Sequence, residues 1–223
     1  MMRKLIIITT AIIMSACSSG NQNRYTIKGT ITDPDLNVTI LYLRDHNTGK
    51  NIDTTQVVNG TYEFKGSTDK VIYAGIEAPR SPYFTNAVLQ EGDITIESEK
   101  PYKAMGTELN DKLYVYKQNE TMAMDKLRTD MRTLQHNSEL NNDQKDKMIG
   151  DVFAEYSNNK EKETLLMLDQ NRDNIISAIM VMNMYATYRN NMPKFDSLHN
   201  TLAPEFKEFG PIKLVLEANN ATN

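Results

Sequence analysis

Residues 52–66, IDTTQVVNGTYEFKG, constrain the fold more than any other stretch of this chain. Asn59-Gly60 lies between two β-rich runs, and this pair tolerates the two positive φ angles of a type I′ hairpin turn. After the turn, Tyr62 and Phe64 alternate with polar residues, so one side of the second strand is aromatic and the other faces water. The stretch is therefore predicted to be a β-hairpin with one buried side. Because an isolated hairpin is barely stable, other strands must cover Tyr62 and Phe64.

Runs with the same period of two flank this segment on both sides. Proline, glycine and aspartate separate them, and these residues stop strands. The other predicted strands cover residues 25–31, 37–43, 70–77, 83–89 and 93–97. About seven short strands within roughly 75 residues, with regular turn signals, predict an antiparallel β-sandwich or a partly open barrel.

The hydrophobic period changes from 2 to about 3.6 near Gly106. From there apolar residues recur three or four positions apart, or at multiples of those steps, which places them on one face of a long helix. These residues are Leu109, Leu113, Tyr116, Met124, Leu127, Met131 and Leu134. The second half of the chain is therefore predicted to be helical, and the whole fold belongs to the α+β class.

Further helices follow the first. A second helix is predicted over residues 143–169, with an apolar side formed by Met148, Val152, Phe153 and Tyr156. Asp173 is predicted to cap a third helix. Because proline fits the first turn of a helix, three short helices are predicted to begin near Pro193, Pro204 and Pro211.

The N-terminus has the pattern of an export signal. Arg3 and Lys4 precede an apolar run over residues 5–14, which is too short to span a bilayer as a helix. Met14-Ser15-Ala16-Cys17 then resembles the bacterial lipobox, in which a cysteine is acylated and becomes the new N-terminus. The alternative is an ordinary signal peptide followed by an incidental cysteine. The resemblance implies that Cys17 anchors the protein to a membrane through its acyl chains.

Composition shifts divide the chain into four parts. Residues 1–16 are predicted to be a lipoprotein signal peptide, residues 17–23 a flexible tether rich in serine, glycine and asparagine, residues 24–104 a β domain and residues 105–223 a helical domain.

The formal net charge of −4 becomes about −6 once the two positive charges of the signal are removed. No basic patch stands out, which argues against a nucleic acid partner.

Several motifs of the first half resemble a known but uncharacterised family. These motifs are Gly29 at the end of the first strand, Leu41-Tyr42-Leu43, Asp53-Thr54, the run from Asn59 to Gly66, and QEGDITIE over residues 90–97. They are similar to the N-terminal β domain of many bacterial envelope lipoproteins of the thiol-disulfide interchange group (thioredoxin-like, AhpC/TSA-type). The helices resemble those that join this domain to a thioredoxin domain. We expect no thioredoxin domain here, since the chain reaches Asn223 where that domain would begin.

The sequence offers no specific signal for catalysis. Disulfide exchange needs a reactive thiolate, and Cys17, the only cysteine, is expected to carry lipid. His46, His136 and His199 do not stand at metal-ligand spacing, and surface positions are expected for all three. We therefore expect no enzyme activity, no cofactor and no metal.

Three classes of function are open to a chain of this kind. The first is a non-catalytic, lipid-anchored module that binds a partner protein, including a separately encoded thioredoxin-like one. The second is a lipoprotein that binds a small ligand or glycan, and the third is a degenerate relative of a thiol-disulfide interchange protein. The expected location is the cell envelope, on the periplasmic face of the outer membrane.

Two short patterns resemble O-glycosylation acceptors of envelope proteins. They are Asp53-Thr54-Thr55 and Asp196-Ser197-Leu198. Patterns this short also arise by chance, and a turn or strand-end hydrogen bond is the preferred role for Asp53.

Overall fold

A computed structural model of the chain describes residues 23–222, in which strands come first and helices follow. The signal peptide, Cys17 and the tether as far as residue 22 lie outside the described residues. The strands are β1 (Asn23–Thr30), β2 (Ile40–Asp45), β3 (Asn51–Gln56), β4 (Thr61–Thr68), β5 (Ile72–Glu77), β6 (Phe84–Leu89), β7 (Gly92–Ile96) and β8 (Ala104–Met105). The helices are α1 (Glu108–His136), α2 (Asn142–Gln170), α3 (Ile175–Tyr188), α4 (Met192–Asn200), α5 (Pro204–Lys207) and α6 (Gly210–Thr222). No helix among these described residues is long and apolar enough to cross a membrane.

The strands form two four-stranded sheets packed face to face. Sheet A has the order β4-β1-β7-β8, and sheet B has the order β3-β2-β5-β6. Both sheets contribute fully buried side chains to the core between them, including Ile27 and Ile94 from sheet A and Leu43 and Ile76 from sheet B. Burial alternates along β1, β2, β4 and β7, because successive side chains point to opposite sides of a sheet. The predicted α+β class, a β-sandwich followed by helices, is confirmed.

One strand pair departs from the predicted antiparallel arrangement. β1 and β7 run parallel, with Ile27 opposite Ile94, whereas β1 and β4 are antiparallel. The chain passes from β6 in sheet B to β7 in sheet A through Gln90 and Glu91. The direction of β7 is therefore set by how the two sheets pack and not by a hairpin with a sequential neighbour.

The hairpin predicted over residues 52–66 is correct at its turn and wrong in its strands. Asn59 and Gly60 have φ angles of 52° and 76°, and Val58 and Thr61 exchange two backbone hydrogen bonds of 2.9 and 3.0 Å. β3, however, pairs with β2 in sheet B, while β4 pairs with β1 along all eight of its residues in sheet A. In this pairing Gly29 lies opposite Tyr62 and the buried Ile27 opposite Phe64, whereas β3 is almost wholly exposed and offers the aromatic side of β4 no buried neighbours. The turn is a corner between the two sheets.

Two glycines of the family-like motifs make room for tyrosine rings in the β1–β4 pair. Gly29 lies opposite Tyr62, and Gly66 lies opposite Tyr25. A Cβ atom at either glycine would collide with the facing ring. Each ring therefore covers the backbone of the opposite strand, an arrangement that also fixes the register of the pair.

The aromatic side of β4 joins the two sheets. Tyr62 is 5% exposed and Phe64 is 1% exposed. The hydroxyl groups of Tyr62 and Tyr83 share a buried hydrogen bond of 2.7 Å, and Tyr83 stacks on Tyr102 with ring centroids 4.7 Å apart. Burial raises the pKa of Tyr83 to about 12, and the hydrogen bond that it shares with Tyr62 offsets only part of this rise.

The helical part packs around α3, which is buried on nearly every side. Ile176, Met180 and Val181 are fully buried at its centre. Asn174 caps this helix by accepting a hydrogen bond from the Ile176 backbone N–H (3.0 Å), so the predicted cap at Asp173 is wrong by one residue. Asn174 has the extended backbone that a cap residue needs, while Asp173 precedes it in a turn. The predicted prolines lie in the first turns of α4, α5 and α6.

The first turn of α1 is attached to sheet B by a buried asparagine. Asn110 is 1% exposed, and its side chain accepts a hydrogen bond from Val88 N–H and donates one to Val88 C=O, both at 2.8 Å. It also donates to Thr107 Oγ1 at 2.7 Å. β6 is an edge strand of sheet B, so Asn110 satisfies backbone groups that a neighbouring strand would otherwise pair. The predicted division into domains at residues 104 and 105 stays a prediction.

Replacing Phe64 by alanine should lower the free energy of unfolding by about 3–5 kcal/mol, because the change leaves a cavity between the sheets. Chemical denaturation of the full chain measures this loss. Val58→Ala is the control, because Val58 is exposed at the corner turn. Equal midpoints for the two variants would contradict the burial of Phe64.

Candidate functional site

The residues that the sequence analysis singled out are not gathered in one place. Tyr62 and Phe64 face the sandwich core, and Asn59 and Gly60 form the corner turn, so all four have structural positions. Cys17 lies outside the described residues.

The two glycosylation-like patterns lie on different elements. In the exposed strand β3, Asp53 Oδ1 accepts a hydrogen bond from Thr54 N–H at 2.7 Å, while Asp196-Ser197-Leu198 lies in α4. Asp53 lies inside β3, so the turn or strand-end position that the sequence analysis preferred for it is wrong, and its hydrogen bond is to the next residue of the same strand.

The three histidines lie in separate surroundings. His46 is half-buried between Tyr73 and Phe84, and its Nε2 lies 2.7 Å from Asn86 Oδ1, so the expected surface position is wrong for this residue. It follows β2 directly, and the alternation of the strand turns its ring onto sheet B. His136 and His199 each contact a nearby backbone carbonyl oxygen, at 2.8 and 3.0 Å. Within residues 23–222, no group of three or more His, Cys, Asp or Glu side chains is placed to hold a metal ion.

An open cleft of about 1080 Å³ lies on the outer face of sheet A, with lining residues from β1, β4 and β7 and from the end of β3. Most of its charged side chains already have partners within the chain, Glu99 being without an ion pair among the described residues. Lys28 pairs with Glu63 at 3.9 Å, and the nearly buried Lys103 pairs with Glu97 at 3.0 Å. Glu97 also accepts a hydrogen bond from the Tyr114 hydroxyl at 2.7 Å. The carboxylates of Glu63 and Glu97 therefore already take part in contacts within sheet A or between sheet A, the loop after β7 and α1.

A smaller pocket of about 330 Å³ lies between sheet B and the helical part. Its apolar lining includes Tyr73, Phe206 and Phe209, and the rings of Tyr73 and Phe209 are 6.3 Å apart. Burial raises the pKa of Tyr73, which keeps its hydroxyl neutral. Asp45 and Lys70 supply polar groups at the pocket. An aromatic pocket with a few polar groups is the usual form of a small-molecule site.

The outer parts of α1 and α2 form an arm, defined here as residues 117–163. Leu127 is the only buried residue within this range. The arm contains much of the two helices, and at a rise of 1.5 Å per residue its α1 portion is roughly 30 Å long. Met122, Met148 and Phe153 are 65%, 42% and 55% exposed on it. Met122 lies outside the apolar side predicted for α1, whereas Met148 and Phe153 belong to the one predicted for α2 and are exposed.

Polar contacts hold the base of the arm together. The Tyr116 and Thr164 hydroxyl groups share a hydrogen bond of 2.8 Å between α1 and α2. One turn further out, Lys160 forms an ion pair with Glu120. Burial lowers the pKa of Lys160, but its hydrogen bond to Glu120 and the charge of that residue outweigh burial, so the pKa is raised. A raised pKa keeps Lys160 positively charged within the seam.

A groove of about 180 Å³ follows the seam between the two helices of the arm. Ala123, Leu127 and Val152 supply apolar lining. Tyr156 also lines the groove, and its hydroxyl is buried without a hydrogen-bond partner, the only such side-chain atom in the part of the chain that the structure describes. A buried hydroxyl without a partner costs free energy. The chain itself therefore leaves one polar group of the groove without a hydrogen bond.

Comparison with known protein families gives a match for part of the chain. Residues 25–113 match the model of a family described as a domain of unknown function (DUF4369). The match covers most of the sandwich and continues into α1 beyond Asn110. No curated protein and no solved structure matches the chain.

The two seam tyrosines should respond in opposite ways to loss of their hydroxyl groups. Tyr116→Phe should lower the free energy of unfolding by about 1–3 kcal/mol, because it leaves the buried Thr164 hydroxyl without this partner. Tyr156→Phe removes a hydroxyl that has no partner, so it should raise the same quantity by up to about 1 kcal/mol. Chemical denaturation compares the pair. Equal losses would show that Tyr156 is hydrogen-bonded in solution.

Proposed function

We propose that this chain is a non-catalytic, lipid-anchored protein of the cell envelope that binds a partner protein through its arm. The observation that carries the proposal is the burial of a single side chain, Leu127, within residues 117–163. Most helices in proteins derive their stability from packing of an apolar side against other elements. An arm that is packed so little inside its own chain gains such packing from another molecule.

The exposed residues of the arm favour a protein as that molecule. Met122 and Phe153 are large apolar side chains more than half exposed, on two helices that project from a well-packed core. Apolar surface of this kind marks interaction sites, and methionine adapts readily to different partner surfaces. A separately encoded thioredoxin-like protein is the partner that the family resemblance suggests.

The membrane anchor is part of the same proposal. It is supported by the basic and apolar start of the chain, the lipobox-like Met14-Ser15-Ala16-Cys17 and the polar segment that follows. Acyl chains on Cys17 would hold the β-sandwich near a membrane through the tether. We place the protein on the periplasmic face of the outer membrane.

Binding of a small ligand or glycan is the second candidate function. It is favoured by the aromatic pocket of about 330 Å³, which falls within the size range of ligand sites. The pocket lies at the junction of the sandwich and the helical part, where binding sites are common. The arm plays no direct role in this alternative.

Cross-linking in living cells tests the proposed role of the arm. A photoreactive amino acid placed at Met122 or at Phe153 should give one discrete protein adduct, because both positions are exposed on the arm. Leu214 is the control position, since it is 67% exposed on α6. The adduct, separated by electrophoresis, should be absent from the control. No adduct from either arm position would contradict the proposal and favour the small-ligand alternative.

Fatty acid labelling tests the anchor. The wild-type chain should incorporate a labelled fatty acid, and Cys17→Ser should not, because serine lacks the sulfur atom that is acylated. Ser18→Ala is the matched control and should be labelled like the wild type. An unlabelled wild-type chain would show that it is not a lipoprotein.

A further inference from the structure

We propose that the groove of the arm is a docking site for an amphipathic helix of the partner protein, with two basic side chains about two turns apart. This inference rests on the proposed function and adds to it the chemistry of the partner. It is carried by the shape of the groove, by the charges at its rim and by the unpartnered hydroxyl of Tyr156.

The shape of the groove fits the side chains of a helix. Its lining residues on α1 and α2 recur three or four positions apart, so each helix presents one continuous side. Two antiparallel helices leave such a seam open, and a third helix can place its ridge of side chains into it. At about 180 Å³ the groove is smaller than the roughly 300–1,000 Å³ of typical small-molecule sites. A few apolar side chains of a docked helix match this volume better.

The rim of the groove carries an excess of negative charge. It contains the carboxylates of Glu120, Asp130, Glu155 and Glu163 and only two lysines, Lys126 and Lys160, so the formal charge is −2 (four negative and two positive).

The distribution of these charges specifies the partner further. Both lysines are already used, since Lys160 pairs with Glu120 and Lys126 pairs with Asp130 at 2.5 Å. Among the described residues, Glu155 and Glu163 take part in no ion pair.

The distance between the two unpaired carboxylates specifies how far apart the basic side chains of a partner helix must be. Glu155 and Glu163 are eight residues apart on α2, which corresponds to about 12 Å along the helix. A partner helix that lies along the groove would meet both with lysine or arginine side chains seven or eight positions apart. Complementary charges of this kind set the orientation and the specificity of a docked helix.

Tyr156 adds an unsatisfied polar group to the lining of the groove. It lies between the two carboxylates in sequence, and its hydroxyl is buried without a partner. A polar side chain of the docked helix supplies the missing hydrogen bond once docking moves the side chains that cover this hydroxyl.

A designed peptide tests the inference on the full chain. The probe is a fluorescent helical peptide of about 20 residues with leucines on one side and two lysines seven positions apart; its control carries glutamates in place of the lysines. Fluorescence anisotropy should show that the lysine peptide binds about tenfold more tightly than the glutamate peptide. The double variant Glu155→Lys/Glu163→Lys should reverse this preference.

A matched control separates groove charges from net charge. Asp146→Lys/Asp151→Lys changes the charge of α2 by the same amount at exposed positions that do not line the groove, and it should keep the preference of the wild type. Circular dichroism should show equal helix content for all variants. The inference is wrong if wild type and Glu155→Lys/Glu163→Lys bind both peptides equally.

Two further outcomes distinguish this inference from the proposed function. Adducts at Met122 without charge-dependent peptide binding would overturn the basic helix as the partner and leave the protein-binding role standing. Self-association in sedimentation experiments that is lost in Glu155→Lys/Glu163→Lys would show that a second copy of this chain occupies the groove, and that result would also overturn the inference.

Discussion

The buried hydrogen bonds between Asn110 and Val88 attach the helical half of the chain to the sandwich at the start of α1. One buried amide satisfies both backbone groups of an edge-strand residue and thereby attaches the first turn of α1 to sheet B. Since an α-helix is stiff, fixing its first turn also fixes the direction of the arm. The family match extends beyond Asn110, so the matched unit contains this attachment as well as the strands. The sandwich thus holds the helix from which the arm extends.

Buried side chains of both sheets form the inside of the sandwich. Tyr62 covers Gly29 from the facing strand and shares a hydrogen bond with Tyr83 across the core. The glycines and tyrosines of the motif therefore act in packing, which explains why they carry no recognisable chemistry. Surfaces available for binding lie outside this core: a cleft whose main carboxylates have partners, an aromatic pocket and the arm.

The seam of the arm has three features that a two-helix hairpin does not need for its own stability. It holds the charged pair of Lys160 and Glu120, a tyrosine hydroxyl without a partner and only one buried apolar side chain, Leu127. Polar groups in a seam weaken packing but specify which neighbour fits, since a poorly matched neighbour leaves them unpaired. This balance is the physical basis for proposing that the arm recognises a particular helix.

The sequence by itself determined the local structure of this protein. The positive φ angles that Asn59-Gly60 favours, the period of two before Gly106 and the period of 3.6 after it depend on near neighbours, and they placed the turn, the strands and the helices. Tertiary structure alone decided which strands pair, because the separation of β3 from β4 and the parallel pairing of β1 with β7 follow from contacts distant in sequence. It also decided the candidate site. Helical periodicity identified an apolar side containing Met148 and Phe153, but periodicity carries no information about what covers that side, and within the described chain both residues remain exposed.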